Sequence, residues 1–297
     1  MAIGHVVPDH RVELAKPVYV PPEGSDVHDL AVIQGRDHGL KEAIANLFDG
    51  SVTPSMVITT HGGTGANSIV CHALAEEGKN VIVVAPCYQQ FVSIPSALGC
   101  EVREYMCDES SGYGLNLDDL AKLVDQNTKA IFLTNPSNPT GYTLSREELE
   151  GLVEIARRVN AYVVCDEIYR GLDEEYMPSI CDLYERGIST GGTSKVFSSA
   201  GARVGWIVTR DLSLVPTLNN FRSYNSICEG PINELIAATI LEHKDVFLAR
   251  SRNIAIKGTR ELEKWIKGEP HFQIVRESHG STSFLTYDFD VPTKKYA

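Results

Sequence analysis

"GGTSKVFSSAGARVGW" (191–206) places one lysine, Lys195, among hydroxyl-bearing residues, with one arginine, Arg203, eight residues downstream between two glycines. Nearly all its neighbours are small. A solvated surface lysine needs no such company, so the stretch reads as one that brings a ligand close to two cations. Strand-like "GIST" (187–190) precedes it and apolar "VGWIVT" (204–209) follows. Lys195 therefore falls at a strand end, and the fold turns on what the other strands do.

Outward from this stretch, short apolar runs alternate with helical patterns from about residue 56. "MVITT" (56–60), "NVIVVA" (80–85), "CEVREYM" (100–106), "KAIFLT" (129–134) and "AYVVC" (161–165) read as strands. Between them, "GANSIVCHALAEEG" reads as a helix running to Gly78, and a further helical stretch runs to Leu98. "LDDLAKLVDQ" has Asn116 as its cap, and "SREELEGLVEIARRVN" opens with Ser145 and Glu148 at capping-box spacing. Near-continuous apolar strands alternating with helices imply an α/β fold, a mostly parallel sheet sandwiched by helices. In such sheets ligands bind beyond the carboxyl ends of the strands. The loops after residues 60, 85, 134, 165 and 190 are thus the places for chemistry.

From about residue 228 the pattern changes to long helices, "PINELIAATILEH" and "DVFLARSRNIAIKGTRELEKWIKG", and then to strand-like "HFQIV" and "STSFLTYDFD". This predicts a large domain over 33–252 and a smaller α+β domain built from 1–32 and 253–297. The chain stops shortly after strand-like residues, so the C-terminal part of that domain is expected to be missing.

Apolar residues make up 43% and charged residues 22%, as in a globular protein with a substantial core. The net charge of -12 weighs against nucleic acid or an anionic membrane as partner. Seven scattered cysteines form no C-x-x-C pair, which fits neither a zinc framework nor a disulfide scaffold, and no metal is expected. The start shows no secretory pattern, and no apolar run approaches the ~20 residues of a membrane span. The expected setting is cytoplasmic.

Each loop taken singly is ambiguous. "HGGTGANS" (61–68) reads as a glycine-rich turn entering a helix, whose free N–H groups and dipole suit a phosphate. It is equally a plain turn or a weak dinucleotide fingerprint. "NPSNPTG" (135–141) is a stiff αβ connection that also holds the Asn138 amide at a strand end. Asp166 in "DEIYRGL" (166–172) is a helix cap or a carboxylate aimed into a site. Together they offer complementary chemistry on one sheet edge. A lysine amine condenses with a carbonyl, and a carboxylate holds a pyridinium nitrogen protonated so that the ring draws electrons. An amide and a phenol bind a ring oxygen, while a helix start and an arginine hold a phosphate. Those are the requirements of pyridoxal 5'-phosphate.

With "GGTGAN" (62–67), "NPSNPTG" (135–141), "DEIYRGL" (166–172) and "TSKVFSSAGARVGW" (193–206) in this order, the sequence resembles the fold-type I pyridoxal-phosphate enzymes, specifically class I/II aminotransferases. The resemblance covers roughly residues 35 to 290. It implies that Lys195 is the Schiff-base lysine and proton carrier, and that Asp166 partners the pyridine nitrogen. It implies that Asn138 and Tyr169 bind the ring oxygen and that Tyr88 stacks on the ring, with Phe91 a weaker rival. Gly63, Thr64, Gly65 and Arg203 would hold the phosphate, the small residues of 191–206 letting the cofactor lie close to the backbone. It further implies amino-acid and 2-oxo-acid substrates and a homodimer.

The sequence also departs from the family. Gly192 stands where relatives carry a phosphate-binding hydroxyl, a role that passes to Ser194. "HDLAVIQGRDHGLKEAI" lacks the tyrosine that reaches the partner subunit's phosphate. The arginine for the substrate carboxylate lies beyond residue 297 in relatives, and Arg222, Arg252 and Arg276 read as surface charges. Transamination leads, with another reaction on the same scaffold (lyase, elimination or cyclisation) or a cofactor-binding module without turnover as alternatives.

Overall fold

The computed structural model describes residues 39–172, 176–274 and 282–290. Residues 1–32 of the expected small domain, and Arg276, lie outside them, as does most of the segment expected to lack the family's tyrosine. The elements run α1 (Leu40–Ala45), β1 (Val57–His61), α2 (Gly62–Leu74), β2 (Asn80–Ala85), α3 (Gln90–Ala97) and β3 (Glu101–Met106). Then come α4 (Leu117–Leu123), β4 (Thr128–Thr134), α5 (Arg146–Arg158), β5 (Tyr162–Asp166), α6 (Ile180–Leu183), β6 (Gly187–Gly192) and β7 (Val204–Thr209). After these follow α7 (Val215–Asn225), α8 (Pro231–Glu242), α9 (Lys244–Ile266), β8 (Phe272–Ile274) and β9 (Leu285–Tyr287).

Among the described residues seven strands form one sheet in the order β1-β7-β6-β5-β4-β2-β3. It is mostly parallel, as the sequence implies; β7 alone runs antiparallel to its neighbours β1 and β6. The exception is built by the stretch 191–206. Gly192 pairs with Gly205 and Gly191 with Trp206, so residues 193–203 form the loop joining two antiparallel strands, with Lys195 near one end and Arg203 at the other.

The glycines of this stretch serve a purpose other than the expected one. A Cβ on Gly205 would fall on the Gly62 carbonyl carbon and the Gly63 nitrogen. One on Gly191 would lie 2.6 Å from Trp206 Nε1, and one on Gly192 2.9 Å from the Val204 carbonyl oxygen. Protein packing, not ligand approach, keeps these three positions bare.

Helices cover both faces, and the strands alternate between two cores. On β5, Val163 and Cys165 join one core while Tyr162 and Val164 join the other, the period-two pattern of a sheet buried on both sides. Helix α5 buries Leu149, Leu152, Val153 and Ala156 along one stripe. Its Ser145–Glu148 capping box forms as the spacing predicts, and Asn116 caps α4 by accepting from the Asp118 and Asp119 N–H groups.

Helix α2 departs from its expected bounds. It starts at Gly62, so "GGTG" is its first turn and not a loop ahead of it, and it ends at Leu74, short of Gly78. Gly62 adopts φ 69°, a left-handed conformation open to glycine at little cost. The chain thereby passes from β1 into the helix with no linker.

Helix α9 continues unbroken past residue 252 and buries only Leu248. It leads to the antiparallel pair β8–β9, where Phe272 packs against Trp265 and Tyr287. Among the described residues no helix is long and apolar enough to cross a membrane.

Candidate active site

At the carboxyl ends of the parallel strands lies a cavity of about 270 Å³, lined by every expected site residue except Gly65. Helix α2 contributes Gly63 and Thr64, and the loop after β2 contributes Tyr88. Asn138 follows β4, Asp166 and Tyr169 come from the end of β5, and Ser194, Lys195 and Arg203 come from the β6–β7 loop. Gly65 instead faces His61 and Thr60. A larger cavity of about 470 Å³, lined by Glu167, Arg170, Trp206 and Arg252 among others, contains none of these expected residues.

Asp166 lines the smaller cavity and is buried. Its Oδ1 accepts from the Ile168 N–H at 3.0 Å and its Oδ2 from Asn67 Nδ2 at 2.8 Å. The carboxylate therefore makes a local turn and also faces the cavity, and no α-helix starts there. Burial pushes its pKa up to about 6, against the lowering effect of the two hydrogen bonds and of Lys195. Glu167, the next residue, serves elsewhere. It pairs with Arg170 at 3.0 Å and accepts from the Ser179 and Ser189 hydroxyls. Of the two acids in "DEIYR", Asp166 alone lines the cavity.

Asn138 Nδ2 donates to Tyr169 Oη at 3.2 Å, and Lys195 Nζ sits 5.8 Å from the centre of the Tyr169 ring. Tyr88 is half exposed at the cavity mouth, whereas its rival Phe91 is fully buried against Phe132. A ring free to cover a ligand is therefore Tyr88.

Helix α2 brings its first turn to the cavity through Gly63 and Thr64 and has no side-chain cap, leaving N–H groups free for an anion. Arg203 lies beside it in the left-handed region at φ 52°. Its Nη1 donates to Ser194 Oγ at 3.4 Å and to the Ala200 carbonyl at 3.1 Å. A Cβ on Gly62 would come within 2.6 Å of Arg203 Nη2, so glycine there makes room for the guanidinium. The hydroxyl that reaches Arg203 belongs to Ser194, and residue 192 is buried against the Val204 carbonyl.

Neither Arg222 nor Arg252 behaves as a surface charge. Arg222 Nε is buried, and Arg252 donates to the Gly171 and Leu172 carbonyls. Neither lines the cavity.

Three further residues contribute that the sequence reading leaves without a role. Asn67 contacts Asp166, Thr190 Oγ1 donates to Asn67 Oδ1 at 2.6 Å, and Thr134 Oγ1 is buried at the cavity wall with no hydrogen-bond partner among the described residues. The legible signal is Asn67, four residues after Gly63 and so on the same helix face. Thr134 and Thr190 sit on strands, where a threonine is ordinary. An unpaired buried hydroxyl is costly unless a ligand answers it. A cavity lined by a buried carboxylate, an amine, an amide–phenol pair and a guanidinium beside a helix start fits pyridoxal 5'-phosphate.

Residues 23–288 match the family model for aminotransferase class I and II. A solved PLP-dependent aminotransferase from Streptococcus suis superposes with a TM-score of 0.84 at 37% identity, over 89% of this chain and 70% of that one. The aspartate aminotransferase of Thermotoga maritima is 25% identical over 252 residues, 82% of this chain and 66% of that protein. The capreomycidine synthase of Streptomyces vinaceus is 28% identical over 213 residues, 71% of this chain and 54% of that protein. The chain thus spans 54% to 66% of the length of these two curated relatives.

Proposed function

The chain belongs to the class I and II aminotransferase family, and on that premise we propose that it is a pyridoxal-phosphate-dependent aminotransferase moving an amino group from an amino acid to a 2-oxo acid. The observation that carries the reading is the convergence on one cavity of Asp166 from the end of β5 and of Lys195 and Arg203 from the β6–β7 loop.

Pyridoxal 5'-phosphate, when bound, supplies an aldehyde carbon that amines attack and a protonated ring that withdraws electrons. Lys195 Nζ is the amine that would hold the cofactor; once the substrate's amino group displaces it, the freed Nζ would take the proton from the substrate Cα and return it. The Asp166 carboxylate holds a proton on the ring nitrogen by charge pairing. Asn138 and Tyr169 donate to the ring oxygen, and Tyr88 covers one face of the ring. The first turn of α2, Gly63 and Thr64 included, binds the phosphate together with Ser194 and Arg203.

The test is reductive trapping. The full chain, reconstituted with the cofactor and treated with borohydride, should carry the reduced adduct on the peptide containing Lys195. An adduct on another lysine, or none, defeats the reading. Incubation with single amino acids and a 2-oxo acid, followed by analysis of the products, then identifies the reaction. The likeness to a capreomycidine synthase supports a second reading, another pyridoxal-phosphate reaction on the same residues. It would release a product other than the 2-oxo acid of the amino donor.

A second copy of the chain is the proposed partner. Tyr224, Ile227, Ile232 and Leu235, at the end of α7 and the start of α8, are each more than half exposed, and a patch of that kind marks an association surface. The scattered cysteines, none of them in a C-x-x-C pair, support a reducing, cytoplasmic setting.

A further inference from the structure

Asp166 is held by a chain of buried side chains running across three elements. Thr190 Oγ1 on β6 lies 2.6 Å from Asn67 Oδ1, and Asn67 Nδ2 on α2 lies 2.8 Å from Asp166 Oδ2 at the end of β5. Thr190 is fully buried, and Asn67 and Asp166 nearly so. From this geometry we infer that Asn67 and Thr190 are positioning residues, which keep Asp166 an acceptor-only carboxylate turned toward the cavity. The inference rests on the cavity being the cofactor site and concerns how its acid is held.

The direction of the chain follows from donor and acceptor chemistry. An amide oxygen accepts and cannot donate, so the short contact between Thr190 and Asn67 Oδ1 requires the hydroxyl to donate. With its oxygen occupied, Asn67 must turn its NH₂ toward Asp166. The Ile168 N–H supplies the second donor, on Oδ1. Both carboxylate oxygens therefore already accept an N–H, an arrangement that favours the ionised form. The remaining lone pairs welcome another N–H donor, such as a protonated ring nitrogen.

The reverse arrangement is self-consistent only with Asp166 protonated. Asn67 would flip, its oxygen would accept from the carboxyl O–H, and its NH₂ would donate to Thr190. Amide direction and acid protonation are thus one choice, and the Thr190 hydroxyl biases it, because the reverse arrangement takes from its hydrogen the amide oxygen it donates to. The charged groups acting on Asp166 are Lys195, which favours the ionised state, and Glu167, which opposes it. From α2 and β6 come the neutral Asn67 and Thr190. Burial already lifts Asp166 to about 6, so little further bias separates the two states near neutral pH.

Thr190→Val keeps the shape and removes the hydroxyl, Asn67→Leu removes the amide, and Thr190→Ser restores the hydroxyl without the methyl. In the cofactor-free protein, the unfolding free energy of each form relative to its Asp166→Asn counterpart, followed against pH, reports the Asp166 midpoint. Thr190→Val and Asn67→Leu should raise that midpoint by about one pH unit, while Thr190→Ser leaves it in place. In the reconstituted protein, the pH midpoint of the visible cofactor absorbance should move in the first two variants and not in the third. An unmoved midpoint in Thr190→Val, or an equal movement in Thr190→Ser, overturns the inference. Failure of borohydride to label Lys195 in the unsubstituted protein would instead defeat the cofactor reading, and the cofactor-free measurement would still judge the Thr190–Asn67 pair.

Discussion

Asp166 carries a charge that its own burial opposes, and this sets two predictions at the scale of the residue. Its carboxyl titrates near 6 in the folded, cofactor-free protein against a usual value of 3.8. As pH falls through 6 the folded state takes up a proton that the unfolded chain binds only near 3.8, so acidification over that window favours the fold. Asp166→Asn has no such proton to bind. The stability of this variant relative to the parent should therefore be greatest above pH 7 and shrink by up to about 3 kcal/mol as pH falls to about 4. Denaturant unfolding across that range measures it, and a difference independent of pH would show that the carboxylate is not held against its burial. In the reconstituted protein the same change should retain cofactor while slowing proton removal from the substrate Cα by ~100-fold or more. Single-turnover absorbance with a reactive amino acid reads that rate, and near-normal turnover would reduce Asp166 to a turn former.

At the scale of the element, the joint between β7 and α2 sets the distance between Arg203 and the anion-binding turn. Gly205 on β7 lies so close to Gly62 and Gly63 that a methyl group would occupy the position of their backbone atoms. Gly205→Ala must push the start of α2 away from the sheet. We expect a stability loss of about 1–3 kcal/mol and at least ~10-fold weaker cofactor binding, since the phosphate turn and Arg203 no longer converge. Gly201→Ala, four residues earlier with open space around its Cβ, should leave both unchanged. Urea unfolding and cofactor titration of the pair make the comparison. Equal behaviour of the two variants would show that the β7–α2 contact does not shape the site.

At the scale of the whole molecule, the apolar surface of α7 and α8 predicts assembly. Ile232 and Leu235 each expose more than half of their surface, and a second copy would cover them. Light scattering should give about twice the chain mass of 32.6 kDa. Ile232→Glu combined with Leu235→Glu should return it to a single copy, because charges do not survive burial in an apolar contact. A monomer in the unsubstituted protein at high concentration would refute the assembly. We further propose that the part of α9 after residue 252 and the β8–β9 pair belong to a smaller domain. Its contact with the large domain near the site includes Thr282 Oγ1 donating to the Ser137 carbonyl, and Phe284 packing edge-on to Tyr113.

The sequence by itself determined what depends on local order. Apolar runs of strand length, the capping pairs at Ser145 and Asn116, and charged or polar groups directly after strands follow from near neighbours along the chain. That was enough to read a mostly parallel sheet, while the resemblance of the loop motifs to a known family named the Lys195, Asp166, Asn138, Tyr169 and Arg203 that share one cavity. What only the tertiary structure decided depends on distant approach. The antiparallel β1–β7 pair, the Gly205 position emptied by the Gly62–Gly63 backbone, and the start of α2 at Gly62 rest on contacts between segments far apart in the chain. The Thr190–Asn67–Asp166 chain is the clearest case. Each of its residues has an ordinary local reading as strand threonine, helix asparagine or turn aspartate. Only the burial of three elements against one another, where every donor must find an acceptor, makes them act together.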